Sequence, residues 1–199
     1  SDVSVKENCF EIYEKVKNED IDIVINNAGF GIFGRFTDID IEKELNMIDT
    51  NIKAVHVLTK LFLKDMKKKD KGYILNVSSS ASFYPGPLMS SYYASKAYVT
   101  SLTKGISHEL KKANSKVKVS CLCPGPVKTN FQKIADVKFN TKELDARYVA
   151  RYAIENLLSS KKLIIVPGTS VKMGVFLARF LPTKLLLKIT YKIQERKRK

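Results

Sequence analysis

Tyr73-Ile74-Leu75-Asn76-Val77-Ser78-Ser79-Ser80 is a β-rich apolar run that stops in three serines. Tyr92 then opens a helical pattern, marked by Leu102, Ile106 and Leu110, that reaches about Lys112. Val117-Lys118-Val119-Ser120-Cys121-Leu122-Cys123 is a second β-rich run, stopped by Pro124-Gly125. Strand, helix and strand at this spacing form a βαβ unit, which makes the two strands parallel.

The same alternation extends outward in both directions. Upstream, Ile21-Asp22-Ile23-Val24-Ile25-Asn26 is a short apolar strand that ends in Asn27-Ala28-Gly29. Between it and Tyr73, positions 55, 58, 59, 62, 63 and 66 form one helical stripe, with Thr59 as its polar exception. Ser4 and Glu7 have capping-box spacing and are expected to start a first helix. Downstream, a helix fits Arg147 to Leu158, and Leu163-Ile164-Ile165-Val166 is a strand stopped by Pro167-Gly168. The chain is therefore α/β, with a parallel sheet and helices on both faces. Ligands of such sheets bind beyond the carboxyl ends of the strands. Here those ends are Asn27-Ala28-Gly29, Ser78-Ser79 and Pro124-Gly125, all small or polar.

Tyr92 and Lys96 are four apart, so their side chains share one helix face. A neighbouring ammonium favours phenolate, so the spacing predicts a lowered tyrosine pKa and a general acid/base near neutral pH. Ser79, at a strand end, is placed to hydrogen-bond a carbonyl oxygen where charge develops. Tyr-x-x-x-Lys alone also describes an ordinary surface pair. The agreement of several segments is what gives it meaning.

Those segments resemble the short-chain dehydrogenase/reductase family over about Asp2 to Gly168. Asn26-Asn27-Ala28-Gly29 resembles the family's Asn-Asn-Ala-Gly motif, and Asn51 its active-site asparagine. Asn76-Val77-Ser78-Ser79 is similar to the segment carrying the catalytic serine, and Tyr92-Tyr93-Ala94-Ser95-Lys96 to the Tyr-x-x-x-Lys signature. Pro124-Gly125-Pro126-Val127-Lys128-Thr129 resembles the loop that holds the nicotinamide end of the cofactor.

The resemblance implies a Rossmann-like, doubly wound parallel sheet in three αβα layers. It implies an NAD- or NADP-dependent oxidoreductase that interconverts an alcohol with a ketone or aldehyde. Its catalytic residues would be Asn51, Ser79, Tyr92 and Lys96. Tyr92 would move the proton, Lys96 would lower its pKa and bind the nicotinamide ribose, Ser79 would orient substrate, and Asn51 would hold a relay water. Cofactor contacts would come from Asp2, Asn27, Ala28, Gly29, Tyr92, Lys96, Pro124, Gly125, Val127 and Thr129. No metal is implied. Tyr93, three residues from Lys96, is expected only to flank the site.

One family element has no counterpart. The Gly-x-x-x-Gly-x-Gly phosphate turn is absent, and Gly29-Phe30-Gly31-Ile32-Phe33-Gly34 reads as an active-site loop rather than a phosphate cradle. Asp2-Val3 resembles the acidic turn after the family's third strand. The chain is therefore expected to be part of a longer protein whose first three strands precede it, with weak or no cofactor binding by this part alone. The Asp22–Asn26 strand would then pair with the first of those strands. Left as an edge, it would expose unpaired backbone and invite association. The choice between NAD and NADP would lie in that preceding part.

The net charge of +15 is concentrated at one end. Positions 171–199 hold nine Lys or Arg against one acid, Glu195. A local excess does not fit a nucleic-acid face with interleaved aromatics, so no nucleic-acid partner is expected. Residues 1–199 are read as one domain, with 171–199 a basic amphipathic C-terminal extension split at Pro182 into two short helices. Its apolar face would pack on the domain, join two subunits of a dimer or tetramer, or lie on a membrane surface. Three scattered cysteines and no secretory signal suit a reduced, cytoplasmic protein, with the membrane contact peripheral. Phe30, Ile32, Phe33, Phe83, Tyr84, Leu88 and Met89 are candidates for an apolar substrate pocket, and 131–140 for a covering loop. Two other classes stay open: a non-catalytic nucleotide-binding or scaffold protein, and a membrane-associated module acting through the tail.

Overall fold

In the computed structural model, residues 1–137, 143–159 and 162–196 are described. Four strands, β1 (Ile23–Asn26), β2 (Tyr73–Val77), β3 (Lys118–Leu122) and β4 (Ile164–Ile165), form one parallel sheet in the order β1-β2-β3-β4. The strands are apolar because both faces are covered, as in βαβ proteins.

The first face carries α1 (Lys6–Val16), α3 (Val55–Lys69) and α4 (Ser90–Lys112). Phe62 and Met66 of α3 and Leu110 of α4 bury Ile74, Val117 and Val119, with Tyr13 and Val16 of α1 closing the rim. The opposite face carries α6 (Ala146–Leu158), whose Val149, Ala153 and Leu157 pack on Leu75, Leu122 and Ile165. This is the expected three-layer αβα architecture. Burial of these side chains drives it at roughly 1.5–3 kcal/mol for each large apolar residue removed from water.

Among the described residues, β1 is a free edge of the sheet. Ile23 and Ile25 project to the α6 side, in register with Tyr73 and Leu75, but α6 does not reach them; they stay 38% and 46% exposed.

The helix from Ser4 starts differently from expectation. Helix α1 begins at Lys6 with Val5 as its N-cap and no side-chain cap. Asp2 Oδ1 takes the Ser4 backbone N–H at 2.9 Å instead, so the capping oxygen lies further upstream. Helix α2 (Ile41–Ile48) has a side-chain cap, with Asp40 accepting from the Lys43 N–H. A single π-helical turn, Asp49–Ala54, joins α2 to α3 and carries Asn51 inward. Such turns occur often at functional sites.

The tail divides as expected into α7 (Thr169–Ala178) and α8 (Thr183–Glu195), with Pro182 as the N-cap of α8. Val175 of α7 is buried, while Phe176, Leu177 and Phe180 stay exposed. Thr190 and Gln194 of α8 are buried on the domain. Residues 138–142, inside the expected covering loop, lie outside the described residues. The described start of that loop is a short helix, α5 (Phe131–Ile134), followed by buried Ala135 and Val137.

Candidate active site

A polar ladder fixes the strand ends. Asn26 of β1 and Asn76 of β2 are register partners, so their side chains lie on the same face. The Asn26 amide donates to Asn76 Oδ1 at 2.8 Å and to Thr59 Oγ1 at 3.0 Å. Thr59 also donates to Asn76 Oδ1, and the Asn76 amide donates to Thr103 Oγ1 at 3.0 Å. Thr59, the polar break in the apolar stripe, is therefore part of a satisfied buried network that ties β1 and β2 to α3 and α4.

Beyond the ladder, backbone bonds align β2 with β3. The Ser78 N–H donates to the Leu122 carbonyl and the Ser80 N–H to the Pro124 carbonyl, each at 2.8 Å. The Ser78 hydroxyl donates to the Lys96 carbonyl at 2.8 Å, and Thr100 donates to Ser78 at 2.8 Å. Ser79 and the first two turns of α4 are thereby held in fixed relation.

These ends open into a cleft of about 930 Å³. Of the expected site residues, Asn27, Gly29, Ser79, Tyr92, Lys96, Pro124, Gly125, Val127 and Thr129 line it. Asp2, Ala28 and Asn51 do not appear on its wall. Asp2 is engaged with Ser4, and its backbone carbonyl accepts from the Asn8 amide at 2.8 Å.

Asn51 is fully buried, and its amide is committed to protein partners. Its oxygen accepts the Phe30 N–H at 3.0 Å, and its N–H groups donate to the Phe30 carbonyl at 2.8 Å and Ser95 Oγ at 3.0 Å. The Asn51 side chain is thus a clasp between the Gly29-Phe30 loop and α4. Gly29 sits against this clasp: a Cβ there would come within 2.8 Å of Asn51 Oδ1 and 3.0 Å of Lys96 Nζ. Gly31 is likewise tight against Phe131, Tyr92 and Met89, whereas Gly34 abuts Ile39.

Tyr92 and Lys96 are both buried. Lys96 Nζ donates to the Val77 carbonyl at 3.1 Å and lies 6.0 Å from the Tyr92 ring centroid. Burial pushes the Tyr92 phenol up to about 12, opposed by a side-chain hydrogen bond with Ser79. Burial pulls the Lys96 ammonium down to about 8, opposed by the Cys121 and Cys123 sulfurs. The lowered tyrosine expected from the four-residue spacing is therefore not found. The loss of water around a phenolate outweighs the hydrogen bond from Ser79 that favours it. At neutral pH Tyr92 is therefore a neutral phenol.

Several apolar expectations meet at this site. Phe30, Tyr84 and Met89 line the cleft. Ile32 and Phe33 pack behind it on the cluster around Tyr92 and Tyr93. Phe83 turns away into the cluster with Val99 and Cys121. Leu88 is half-buried with φ of 66°, and its carbonyl accepts the Gly34 N–H.

Phe131, the first residue of the expected covering loop, lines the far wall with its ring tilted 5.4 Å from that of Tyr92. Sequence reasoning missed the rest of that wall, Thr190, Ile193, Gln194 and Arg196 of the tail. Tyr93 does more than flank the site, since the Gln194 amide donates to its phenol. Gly86 makes room for its ring, because a Cβ there would fall 2.4 Å from Tyr93 Cζ. The one signal available was the polar Gln194 within the apolar periodicity of the tail.

The fold and the cleft at its strand ends define a Rossmann-like α/β protein. The short chain dehydrogenase family model matches residues 1–138, and the chain belongs to that family. It is 38% identical to dehydrogenase/reductase SDR family member 4 of Bos taurus over 57% of this chain and 40% of that one. An uncharacterized oxidoreductase of Staphylococcus saprophyticus is 36% identical over 77% of this chain and 65% of its own length. Estradiol 17-beta-dehydrogenase 11 of Mus musculus is 30% identical over 96% of this chain and 65% of that one. The chain thus spans 40–65% of the length of these relatives.

Two solved structures share the fold. A Burkholderia phymatum short chain dehydrogenase/reductase in complex with NAD has a TM-score of 0.80 at 22% identity, over 90% of this chain and 73% of that one. A Sphingobium yanoikuyae short-chain dehydrogenase in complex with NADPH has a TM-score of 0.78 at 21% identity, over 90% and 71%.

Proposed function

We propose that the protein containing this chain is an NAD- or NADP-dependent oxidoreductase that interconverts an alcohol with a ketone or aldehyde, using Tyr92 as its general acid/base. The observation that carries this reading is the meeting of Ser79, from the end of β2, with Tyr92 and Lys96, from the start of α4, in one cleft at the strand ends. Family membership and the nucleotide complexes of the fold's relatives support it.

The wall residues fit the nicotinamide end of such a cofactor. Lys96 is buried, lines the cleft, and spends one of its three N–H donors on Val77, which leaves two for ribose hydroxyls. Asn27, Gly29, Pro124, Gly125, Val127 and Thr129 supply a small and polar lining beside it. When bound, the nicotinamide supplies or accepts the hydride.

The chain's own residues handle the proton. In reduction, Ser79 orients the substrate carbonyl by a hydrogen bond from its hydroxyl. Tyr92, held neutral by burial, donates its proton to the oxygen as negative charge develops there. The Lys96 ammonium then stabilises the phenolate. Asn51 fixes the loop and the helix between which this happens, and is a positioning residue. The apolar Phe30, Met89 and Phe131 around Tyr92 exclude water from the reacting carbon.

The exposed Phe176, Leu177 and Phe180 of the tail, beside Lys172 and Arg179, supply an accessory contact with a second copy of the chain or an anionic membrane surface. Vesicle co-sedimentation and sedimentation velocity separate the two. Among the described residues no helix is long and apolar enough to cross a membrane. Three buried free cysteines suit a reducing, cytoplasmic setting.

The test is turnover by the full-length gene product. NADH and NADPH oxidation are followed against a panel of apolar ketones and aldehydes, and NAD and NADP reduction against their alcohols. Consumption with at least one carbonyl–alcohol pair is expected; none with any pair and either cofactor defeats the reading.

A further inference from the structure

We infer that Gln194 is a specificity-determining residue of the cleft: its amide oxygen accepts a hydrogen bond from a hydroxyl carried by an otherwise apolar ketone or alcohol, at the end remote from the reacting carbon. The inference rests on the oxidoreductase reading above and names the substrate class for it.

Gln194 lies in the last turn of α8 and is 0% exposed. It lines the cleft that holds Ser79, Tyr92 and Lys96. Its Nε2 donates to the Tyr93 phenol. Its Oε1 has no partner, and among the described residues it is the one buried side-chain oxygen or nitrogen so placed. Native interiors pair almost every such atom, because a buried acceptor left bare has lost its water without return. The other buried polar residue of α8, Thr190, is satisfied within its own helix by the Leu186 carbonyl at 2.9 Å. The neighbouring wall presents Ile193, Met89 and the ring of Tyr84, with Thr190 turned to its own helix and Arg196 at the helix end. A lone acceptor on such a wall selects a donor on an apolar molecule, and a site built to bond a substrate hydroxyl rejects the analogue lacking it. Tyr93 connects this subsite to the chemistry, as it bonds Gln194 and directly follows Tyr92 on α4.

The experiment uses the full-length gene product, with saturating NADH or NADPH, and a homologous series of para-hydroxyphenyl alkyl ketones of increasing chain length. Each is paired with its unsubstituted and para-methoxy counterparts. KM and kcat are measured, and direct binding is read in parallel by saturation-transfer NMR.

At the best chain length, the hydroxyl member should have a KM about tenfold lower than both counterparts, with kcat little changed. Gln194→Met should abolish that preference. The inference is overturned if the wild type ignores the hydroxyl at every chain length, if the methoxy member binds as well, or if the preference survives Gln194→Met. Should Gln194→Met fail to fold, the wild-type comparison of hydroxyl with methoxy members decides alone. A hydroxyl preference in binding without any turnover would sink the oxidoreductase reading and leave the Gln194 subsite standing.

Discussion

The two walls of the cleft are built on different principles. The inner wall is the ends of β2 and β3 with the start of α4, where Ser78, Thr100, Asn51 and the Asn26–Asn76 ladder bond one another in closed sets. The outer wall is α5 and α8, where Phe131 lies against the Tyr92 ring and the Gln194 amide donates to Tyr93. An over-determined inner wall suits a proton transfer that must recur in one geometry. An outer wall built from separate segments beyond the strand ends can vary what enters without disturbing the chemistry.

The contrast can be broken at several points. Apart from Tyr92 itself, the largest effect should follow Ser79→Ala, on the inner wall. Loss of a donor aimed at the reacting oxygen should lower kcat about 10²–10³-fold with a melting temperature close to wild type. A tenfold loss in KM alone would move Ser79 to a binding role.

Asn76→Ala should act on stability instead. It leaves Asn26, Thr59 and Thr103 short of partners, and urea unfolding should show a loss of about 2–4 kcal/mol. A midpoint unchanged from wild type would mean that the ladder is replaceable by water.

A smaller, signed effect should come from pH. The folded Lys96 pKa of about 8 lies below its ordinary 10.5, so the folded state binds fewer protons between those values. Stability should therefore gain a rising contribution from about pH 8 toward pH 10 that Lys96→Met lacks. Parallel pH-dependent melting of the two proteins measures the difference, and superimposable slopes would place Lys96 in water.

The smallest effect belongs to the exposed tail. Phe180→Ser, at a residue 71% exposed, should change stability by no more than about 0.5 kcal/mol. A larger loss in the isolated chain would mean that α7 packs more tightly than its exposure indicates.

The same contrast explains what the sequence disclosed. Tyr92 and Lys96 were legible because a four-residue spacing on a helix is a local rule, and Ser79 because strand ends are marked by abrupt polarity. The parallel sheet was legible for the same reason. The direction of the Tyr92 shift was not, because it depends on burial in the cluster with Met47, Phe131 and Val137, which no local spacing encodes. Gln194 and Tyr93 stand 101 positions apart, so no periodicity links them. Asn51 was found by resemblance, but its clasp on Phe30 and Ser95 emerges only where the π-helical turn points it inward.

The proton-donating role of Tyr92 is tested most directly by single-turnover carbonyl reduction with Tyr92→Phe in the full-length gene product, alongside calorimetric binding of NADH and NADPH. Removing only the hydroxyl should slow the reduction about 10²–10⁴-fold while cofactor binding and melting temperature stay near wild type. A reduction rate equal to wild type would contradict the role and leave the buried phenol a packing residue.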